Sequence, residues 1–417
     1  MIAPSENTLL DADLPNIKHL HALSVIAQTG SVTAACEKIN LSQPALTQGI
    51  AKLEAGLGVK LFDRQRGMVL TPAGKVYLKR IKRGVNLLRE AADFLGRFAT
   101  DINPNLYRLF TLGQLRALIA VVEQESFKLG AMRLSVQPST VHRACQSLEQ
   151  LVNCKLFEVT TNGRRPTRQA EKLFQLSKLA LGEFQQAEFD LLGWKGRFIG
   201  RFALGCLPLA QATLVPRALN LLANEYPMID VVVIDGSYTV LSRAMRRGNV
   251  DIIIGALRTD EVLQDMEQQE LFKERLIIVG RSDHPLVGDK EITLKKLAKF
   301  AWVAPRVASA SRPYFDKFYK RLNRTETAAH PIKASTLGTI RGILLESDRL
   351  AIVSALQVDY ELRGQLLSKI PYELHNSDRA IGVINRENWL PSVPQQRFLQ
   401  HLRTILKDGD LVVEQSP

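Results

Sequence analysis

The first half of this chain repeats itself. Set against its own sequence at an offset near 95 residues, Leu20, Ala22 and Leu23 fall on Leu115, Ala117 and Leu118, and Ser31 falls on Ser126. Leu53-Glu54 falls on Leu148-Glu149, and Lys60-Leu61-Phe62 on Lys155-Leu156-Phe157. One extra residue in the second copy then brings Thr71 onto Thr167. Agreement at so many ordered positions means two segments that share one fold. With 417 residues in all, the length points to about three independently packed units.

The first copy reads as three short helices. Leu20, Leu23 and Ile26 recur at helical spacing. Thr29-Gly30-Ser31 breaks that helix, and Ser31 is placed to cap a second one running through Ala34, Ala35 and Ile39. Ser42-Gln43-Pro44-Ala45 reads as a cap followed by a first turn, where proline is tolerated because its missing amide would have had no intrahelical partner. Leu46, Ile50 and Leu53 form the buried stripe of this third helix, leaving Gln43, Ala45, Thr47, Gln48 and Lys52 on or near the outer face. This is a helix-turn-helix. Leu61 to Thr71 then predicts a two-stranded wing with a basic tip, Arg64 and Arg66. Beyond it Leu78, Ile81, Val85, Leu88, Ala92 and Leu95 step by three and four, a heptad seam suited to pairing with another helix; on this reading it makes a dimer.

Charge agrees with a polyanionic partner. The chain carries a net +13. Between Leu14 and Phe98 thirteen Lys and Arg face only five Asp and Glu, so the excess is concentrated in the first copy.

The segment SQPALTQGIAKLEAGLGVKLFDR…LTPAG, Ser42 to Gly74, closely resembles the DNA-binding signature of LysR-type transcription regulators. The resemblance implies that the helix beginning at Ser42-Gln43-Pro44 enters the major groove of DNA. On it Gln43, Ala45, Thr47 and Gln48 would face base edges, where Gln pairs with adenine and the methyls of Thr and Ala touch thymine. Ser31, Thr33, Lys52, Arg64 and Arg66 would hold phosphates, fixing register without reading sequence.

The second copy departs from that pattern. It reads Val136-Gln137-Pro138-Ser139-Thr140-Val141-His142-Arg143, with the Gln-Pro displaced by one position, and its wing has Val159 where the family has Arg, although Arg164 and Arg165 remain near the tip. From Phe110 to Leu191 ten basic residues face eight acids, which implies weak attraction for phosphates. Two readings stand side by side. Gln137, Thr140, His142 and Arg143 read additional DNA, or the unit is a spacer or dimerisation element that kept the fold and lost the readout.

From Gly196 onward apolar strands alternate with amphipathic helices, with strands expected at Phe198–Leu204, Ile229–Ile234, Asp251–Gly255, Leu276–Val279, Ala301–Val303, Leu350–Val353 and Ile381–Ile384. Their β-branched runs fit a parallel sheet buried on both faces, in a doubly wound α/β fold with ligands at the strand carboxyl ends. This half resembles the LysR effector domain over roughly residues 197–406, most closely that of regulators of sugar or aromatic-acid catabolism. The resemblance implies two subdomains like a periplasmic binding protein, with an inducer between them. By position Cys206, Leu207, Pro208, Ser309, Ser311, Arg312 and Thr336 would line the cleft, where helix-start amides and Arg312 suit a carboxylate.

The expected architecture is therefore multidomain: two all-α, winged helix-turn-helix units followed by an α/β effector domain. Its expected limits are 1–72 for the DNA-binding unit, 73–108 for a linker helix, 109–168 for the second unit, 169–196 for a second linker and 197–417 for the effector domain. Within the last, subdomain I takes about 197–275 and 371–417, and subdomain II about 276–370. The expected partners are double-stranded DNA, a small-molecule effector and further copies of the chain as a dimer or tetramer, with RNA polymerase a further candidate and no membrane. The alternative is a constitutive architectural DNA-binding protein whose α/β domain serves only assembly. No catalytic motif stands in a fitting context, so no enzyme is expected, and no cofactor or metal. Cys36, Cys145, Cys154 and Cys206 are scattered without a CxxC pair, which suits reduced structural thiols. No apolar run approaches the ~18 residues of a membrane span, and Met1 to Asp13 carries acids where a secretory signal would be basic. The cytoplasm is the expected location.

Overall fold

The computed structural model describes residues 8–39, 42–65, 67–98, 103, 105–160, 163–258, 263, 265–307, 309–323 and 329–407. The chain divides into two compact units, Met1–Gly200 and Arg201–Pro417.

The first unit contains both sequence copies. Copy one comprises α1 (Thr8–Asp11), α2 (Ile17–Thr29), α3 (Val32–Ile39), α4 (Gln43–Leu57), strands β1 (Phe62–Asp63) and β2 (Val69–Leu70), and the long helix α5 (Pro72–Leu95). Copy two comprises a 3-10 turn (Leu106–Arg108), α6 (Leu112–Gln124), α7 (Phe127–Arg133), α8 (Pro138–Val152), β3 (Phe157–Thr160), β4 (Gly163–Pro166) and the long helix α9 (Arg168–Trp194). Equivalent residues do equivalent work. Ser31 Oγ accepts from the Ala34 amide, and Ser126 Oγ from the Leu129 amide. Thr71 caps α5 while donating its hydroxyl to Lys60 O (2.7 Å), and Thr167 caps α9 while donating to Lys155 O (3.1 Å). Each threonine thus ties its wing to the start of its long helix.

The heptad seam is buried, but its partner differs from expectation. Leu78, Ile81, Val85, Leu88, Ala92 and Leu95 are buried in one core with Leu173, Phe174, Leu181 and Phe184 of α9 in the same chain. The correction is physical: heptad spacing shows that a face is covered, not which chain covers it. The pairing is antiparallel, because Arg80 meets Glu183 and Asp190, Gly84 meets Ala180 and Phe184, and Glu90 meets Lys172. Gly84 allows the close approach, since a Cβ there would lie 2.3 Å from the Phe184 ring and 3.0 Å from Ala180 O.

Gly84 and Ala180 are equivalent positions in the two copies, so the helices cross where a twofold axis would pass. The flanking segments agree with that relation. Ala12 O accepts from Arg116 of α6, while Tyr107, the equivalent of Ala12, packs edge-on against His21 of α2 (5.5 Å), the equivalent of Arg116. Asp11 pairs with Arg133 (2.9 Å), and Arg108 donates to the carbonyl of Lys38, the equivalent of Arg133 (3.0 Å). Burial and the nearby Arg108 and Arg89 push His21 down to about 4, so it packs as a neutral ring.

Charge breaks the symmetry. Arg80, its side chain only 4% exposed, lies between Glu183 (3.2 Å) and Asp190 (2.7 Å), and Arg83 adds a second pair to Glu183 (3.0 Å). The α5 positions equivalent to those acids are Leu87 and Phe94. An α5 paired with a copy of itself would leave Arg80 buried and unpaired.

The second unit holds two five-stranded sheets. Its elements run β5 (Gly200–Cys206), α10 (Pro208–Gln211), α11 (Leu214–Glu225), β6 (Ile229–Asp235), α12 (Tyr238–Arg246), β7 (Ile252–Ala256), β8 (Met266–Glu274), β9 (Leu276–Arg281), α13 (Leu294–Leu297), β10 (Trp302–Pro305) and α14 (Arg312–Arg321). Then follow β11 (Ile332–Ala334), α15 (Leu337–Leu345), β12 (Leu350–Ser354), α16 (Asp359–Arg363), β13 (Leu367–Lys369), β14 (Arg379–Arg386) and α17 (Val393–Lys407). The strand orders are β6-β5-β7-β14-β8 and β11-β10-β12-β9-β13. The sheets are mixed rather than wholly parallel: β5 runs parallel to β7, and β10 to both β11 and β12, but β14 and β9 are antiparallel to their neighbours. Those two strands are where the chain has crossed between sheets, from β8 into β9 and from β13 into β14. Charges fasten the crossing: buried Glu274 accepts from Arg379 (2.8 Å) and Ser354, and Arg275 pairs with Asp378 (2.8 Å).

Replacing Arg80 alone by Leu leaves two acids facing apolar surface and should cost about 3–5 kcal/mol in urea unfolding. The triple replacement of Arg80, Glu183 and Asp190 by Leu should restore most of that loss.

Candidate nucleic-acid interface and effector cleft

Helix α4 divides along its length as its pattern requires. Leu46, Ile50 and Leu53 are buried, while Ser42, Gln43, Pro44, Ala45, Thr47, Gln48 and Lys52 are exposed. Ser42 stands at the N-cap in extended conformation, and Gly58 ends the helix in the left-handed region (φ 62°), where a side chain would be strained. Thr33 is exposed, Ser31 half-buried, and Arg64 exposed on the wing. Arg66 lies outside the described residues. One connected surface therefore carries polar, methyl and cationic groups over a rigid apolar underside.

What sets the wing against α4 is Glu54, one of the residues that the two copies share. Glu54 is 2% exposed. Its carboxylate accepts from the amides of Leu61 (2.9 Å) and Phe62 (3.3 Å) and pairs with Lys60 and Arg64, both at 3.3 Å. Glu149 does the same for Leu156 (2.8 Å), Phe157 (3.2 Å) and Lys155 (3.6 Å). The repeated Leu-Glu was the available signal. Arg64 thus has a structural anchor as well as an exposed edge. In the second copy Val159 takes its place, 82% exposed and with no charge to pair.

Helix α8 also keeps its outer face open. Gln137, Ser139, Thr140 and Arg143 are exposed, above buried Val141, Cys145 and Leu148. Gln137 takes the N-cap at the position equivalent to Ser42, so α8 starts where α4 does and the displaced Gln-Pro puts Pro138 at the first helical position. Arg143 donates to Ser139 O (3.3 Å) along its own helix. His142 is drawn inward: its ring stacks on Phe127 at 4.3 Å and 3°, with Arg164 over the same phenyl ring at 5.4 Å. This stacking stiffens the corner between α7 and α8 and leaves His142 half-buried, where Gln137, Thr140 and Arg143 are exposed.

In the second unit the expected cleft residues separate into two groups. Pro208 is exposed, and Ser309 and Ser311 are half-buried with their hydroxyls 3.0 Å apart. Between them Ala310 packs against the cluster that holds Leu207, Tyr238 and Ile253, so this loop of one subdomain does meet the β5–α10 junction of the other. Thr336 is exposed and caps α15 by accepting from the Thr339 amide (3.4 Å). The remainder are turned away. Cys206 is fully buried, its thiol pushed up to about 12 by burial, and Leu207 fills the space over Gly255. Arg312 is held within its own subdomain by Asp316 (2.8 Å) and Pro305 O (2.8 Å). Sequence position had placed all three facing the cleft; apolar packing and an i,i+4 ion pair take them out of it. Arg258, which no sequence motif marks, stands two residues past β7 with its guanidinium 4.9 Å over Tyr238, whose hydroxyl donates to Ala256 O.

A family model described as the LysR substrate binding domain matches residues 195–407, and one described as the bacterial regulatory helix-turn-helix protein, lysR family, matches twice, at residues 17–75 and 112–171. The chain belongs to the LysR family. It is similar to the HTH-type transcriptional regulator GalR of Pseudomonas putida, 30% identical over 402 residues, covering 96% of this chain and 100% of that protein. It is also similar to the HTH-type transcriptional regulator PcaQ of Agrobacterium fabrum, 23% identical across 69% of this chain and 93% of the relative. A full-length OxyR variant from Pseudomonas aeruginosa shares the fold, with a TM-score of 0.52 and 18% identity over 74% of this chain and 99% of that one. This LysR protein is a DNA-binding transcriptional regulator with an effector-binding domain. Among the described residues no helix is long and apolar enough to cross a membrane.

Glu54→Ala should lower stability by about 2–4 kcal/mol, because two buried amides and two cations lose their acceptor at once. Glu149→Ala should cost less, since Glu149 is more exposed and its cation, Lys155, stands farther off at 3.6 Å; urea unfolding of the two variants side by side measures the difference.

Proposed function

We propose that this protein reads a specific operator through the outer face of α4 and changes its regulatory state when a small organic acid enters the cleft between the two subdomains of its second unit. The single observation that carries the DNA reading is the α4 surface: Gln43, Thr47, Gln48 and Lys52 are all exposed on a helix whose opposite side is anchored in the core. Glutamines at the helix start suit adenine edges, and Lys52 and Arg64 suit flanking phosphates.

The choice of a carboxylate-bearing effector is supported by topology. Strands β10 and β11 are parallel, so the starts of α14 and α15 follow their carboxyl ends on one edge of the sheet, where helix-terminal amides favour anions. Arg258 replaces Arg312 as the cation offered to the ligand. The α5–α9 seam is filled within the chain, so self-association of whole chains uses other surfaces. A duplex-DNA partner supports a cytoplasmic location.

Alanine at Gln48 should reduce affinity for the operator by about tenfold while leaving affinity for random DNA unchanged, since one bidentate pair discriminates by about 1–3 kcal/mol. Lys52→Ala should weaken binding to all DNA alike and lower the salt dependence by about one ion. Equal loss on every sequence for Gln48→Ala would remove base readout from α4. In thermal melting with a panel of small organic acids, at least one should raise the midpoint through binding to the native state, and Arg258→Ala should abolish that shift.

A further inference from the structure

We infer that one chain of this protein by itself carries a complete two-armed DNA reader, and that its operator is asymmetric: two unequal half-sites about one helical turn apart, one taken by α4 and the other by α8. The inference rests on the DNA reading proposed above and extends it to the second winged unit.

Three observations lead to it. The first is the twofold relation of the two copies, shown by the crossing at Gly84 and Ala180 and by the exchanged contacts of Ala12 with Arg116 and of Tyr107 with His21. The second is length. Twelve residues separate each long helix's start from the crossing, Pro72 to Gly84 and Arg168 to Ala180. At about 1.5 Å per residue the antiparallel pair holds the two wing junctions about 36 Å apart. That is about the 34–36 Å repeat at which successive major grooves face the same side of B-DNA. The third is surface chemistry. The α8 face remains open through Gln137, Ser139, Thr140 and Arg143, and Arg164 and Arg165 are exposed on its wing.

The two faces share a frame but not a code. Where α4 has Ala45, Gln48 and Lys52, α8 has Thr140, Arg143 and Ser147. Gln48 suits adenine, whereas the guanidinium of Arg143 suits the O6 and N7 acceptors of guanine. The second arm therefore takes guanine where the first takes adenine. It also grips phosphates more weakly, because Lys52 and Arg64 are replaced by Ser147 and Val159. The pairing of Arg80 with Glu183 and Asp190 keeps the arms of one chain together, because neither long helix finds the same complement in a copy of itself.

The test is selection of binding sequences from a random duplex pool by the full chain, repeated with Arg143→Ala and with Gln48→Ala. The expected result is a bipartite consensus with two different arms centred about 10–11 base pairs apart. Arg143→Ala should lose about tenfold of guanine preference in one arm only, and Gln48→Ala should alter only the other. Each variant is the other's folding control, since a chain that failed to fold would erase both arms. An inverted repeat with identical arms, a single-arm consensus, or a consensus unmoved by Arg143→Ala overturns the inference and leaves the α4 reading standing. Selection of no sequence at all removes both.

Discussion

The antiparallel packing of α5 on α9 is the constraint on which the rest of the first unit depends. Neither winged unit has much interior of its own. Three short helices and a two-stranded wing enclose a small core, and a domain of about 60 residues is marginal when alone. The long helices resolve this by joining both units to one continuous core that runs from Leu20 through Ile81 and Leu181 to Leu118. Close approach at Gly84 and the burial of Arg80 between two acids then fix the register, because sliding by a turn would put the guanidinium against apolar surface. Seated this way, α4 and α8 are positioned by packing and not by a flexible tether.

The same logic operates at smaller scale in each wing. A buried carboxylate, Glu54 or Glu149, receives the two amides that open the wing strand, and a threonine at the far end, Thr71 or Thr167, ties the closing strand to the next helix. These groups contact no expected ligand. They keep the wing at a fixed angle to the helix that does, which is why the repeat preserves them while the outward-facing residues have diverged.

Much of this organisation could be read from the residues. The three-helix pattern, the cap at Ser31, the wing and the apolar strands of the second unit all follow from local spacing, which local chemistry determines; Ser42 takes the N-cap position of α4 without a side-chain hydrogen bond. The identity of the seam's partner could not be read, because Leu78 and Leu88 are equally well covered by any apolar helix. Strand β8, Met-Glu-Gln-Gln-Glu-Leu-Phe-Lys-Glu, carries no apolar run because it sits at the edge of its sheet beside β14, where charged side chains remain solvated. In the cleft, position along the chain identified the loop around Ser309 but not side-chain direction: Arg312 turns back to Asp316 and Cys206 into the core, both decided by packing that sequence spacing does not contain.

Fusing two recognition modules on one polypeptide changes how such a reader can alter over generations. In an assembly of identical subunits every substitution on the reading helix appears twice, so both arms of the binding site must shift together. On the inference drawn above, Gln48 and Arg143 are encoded separately, so one arm can acquire a new preference while the other still anchors the protein. Their local concentration relative to each other is also set by the chain and not by expression level, so the reading head is as complete in a cell with few copies as in one with many.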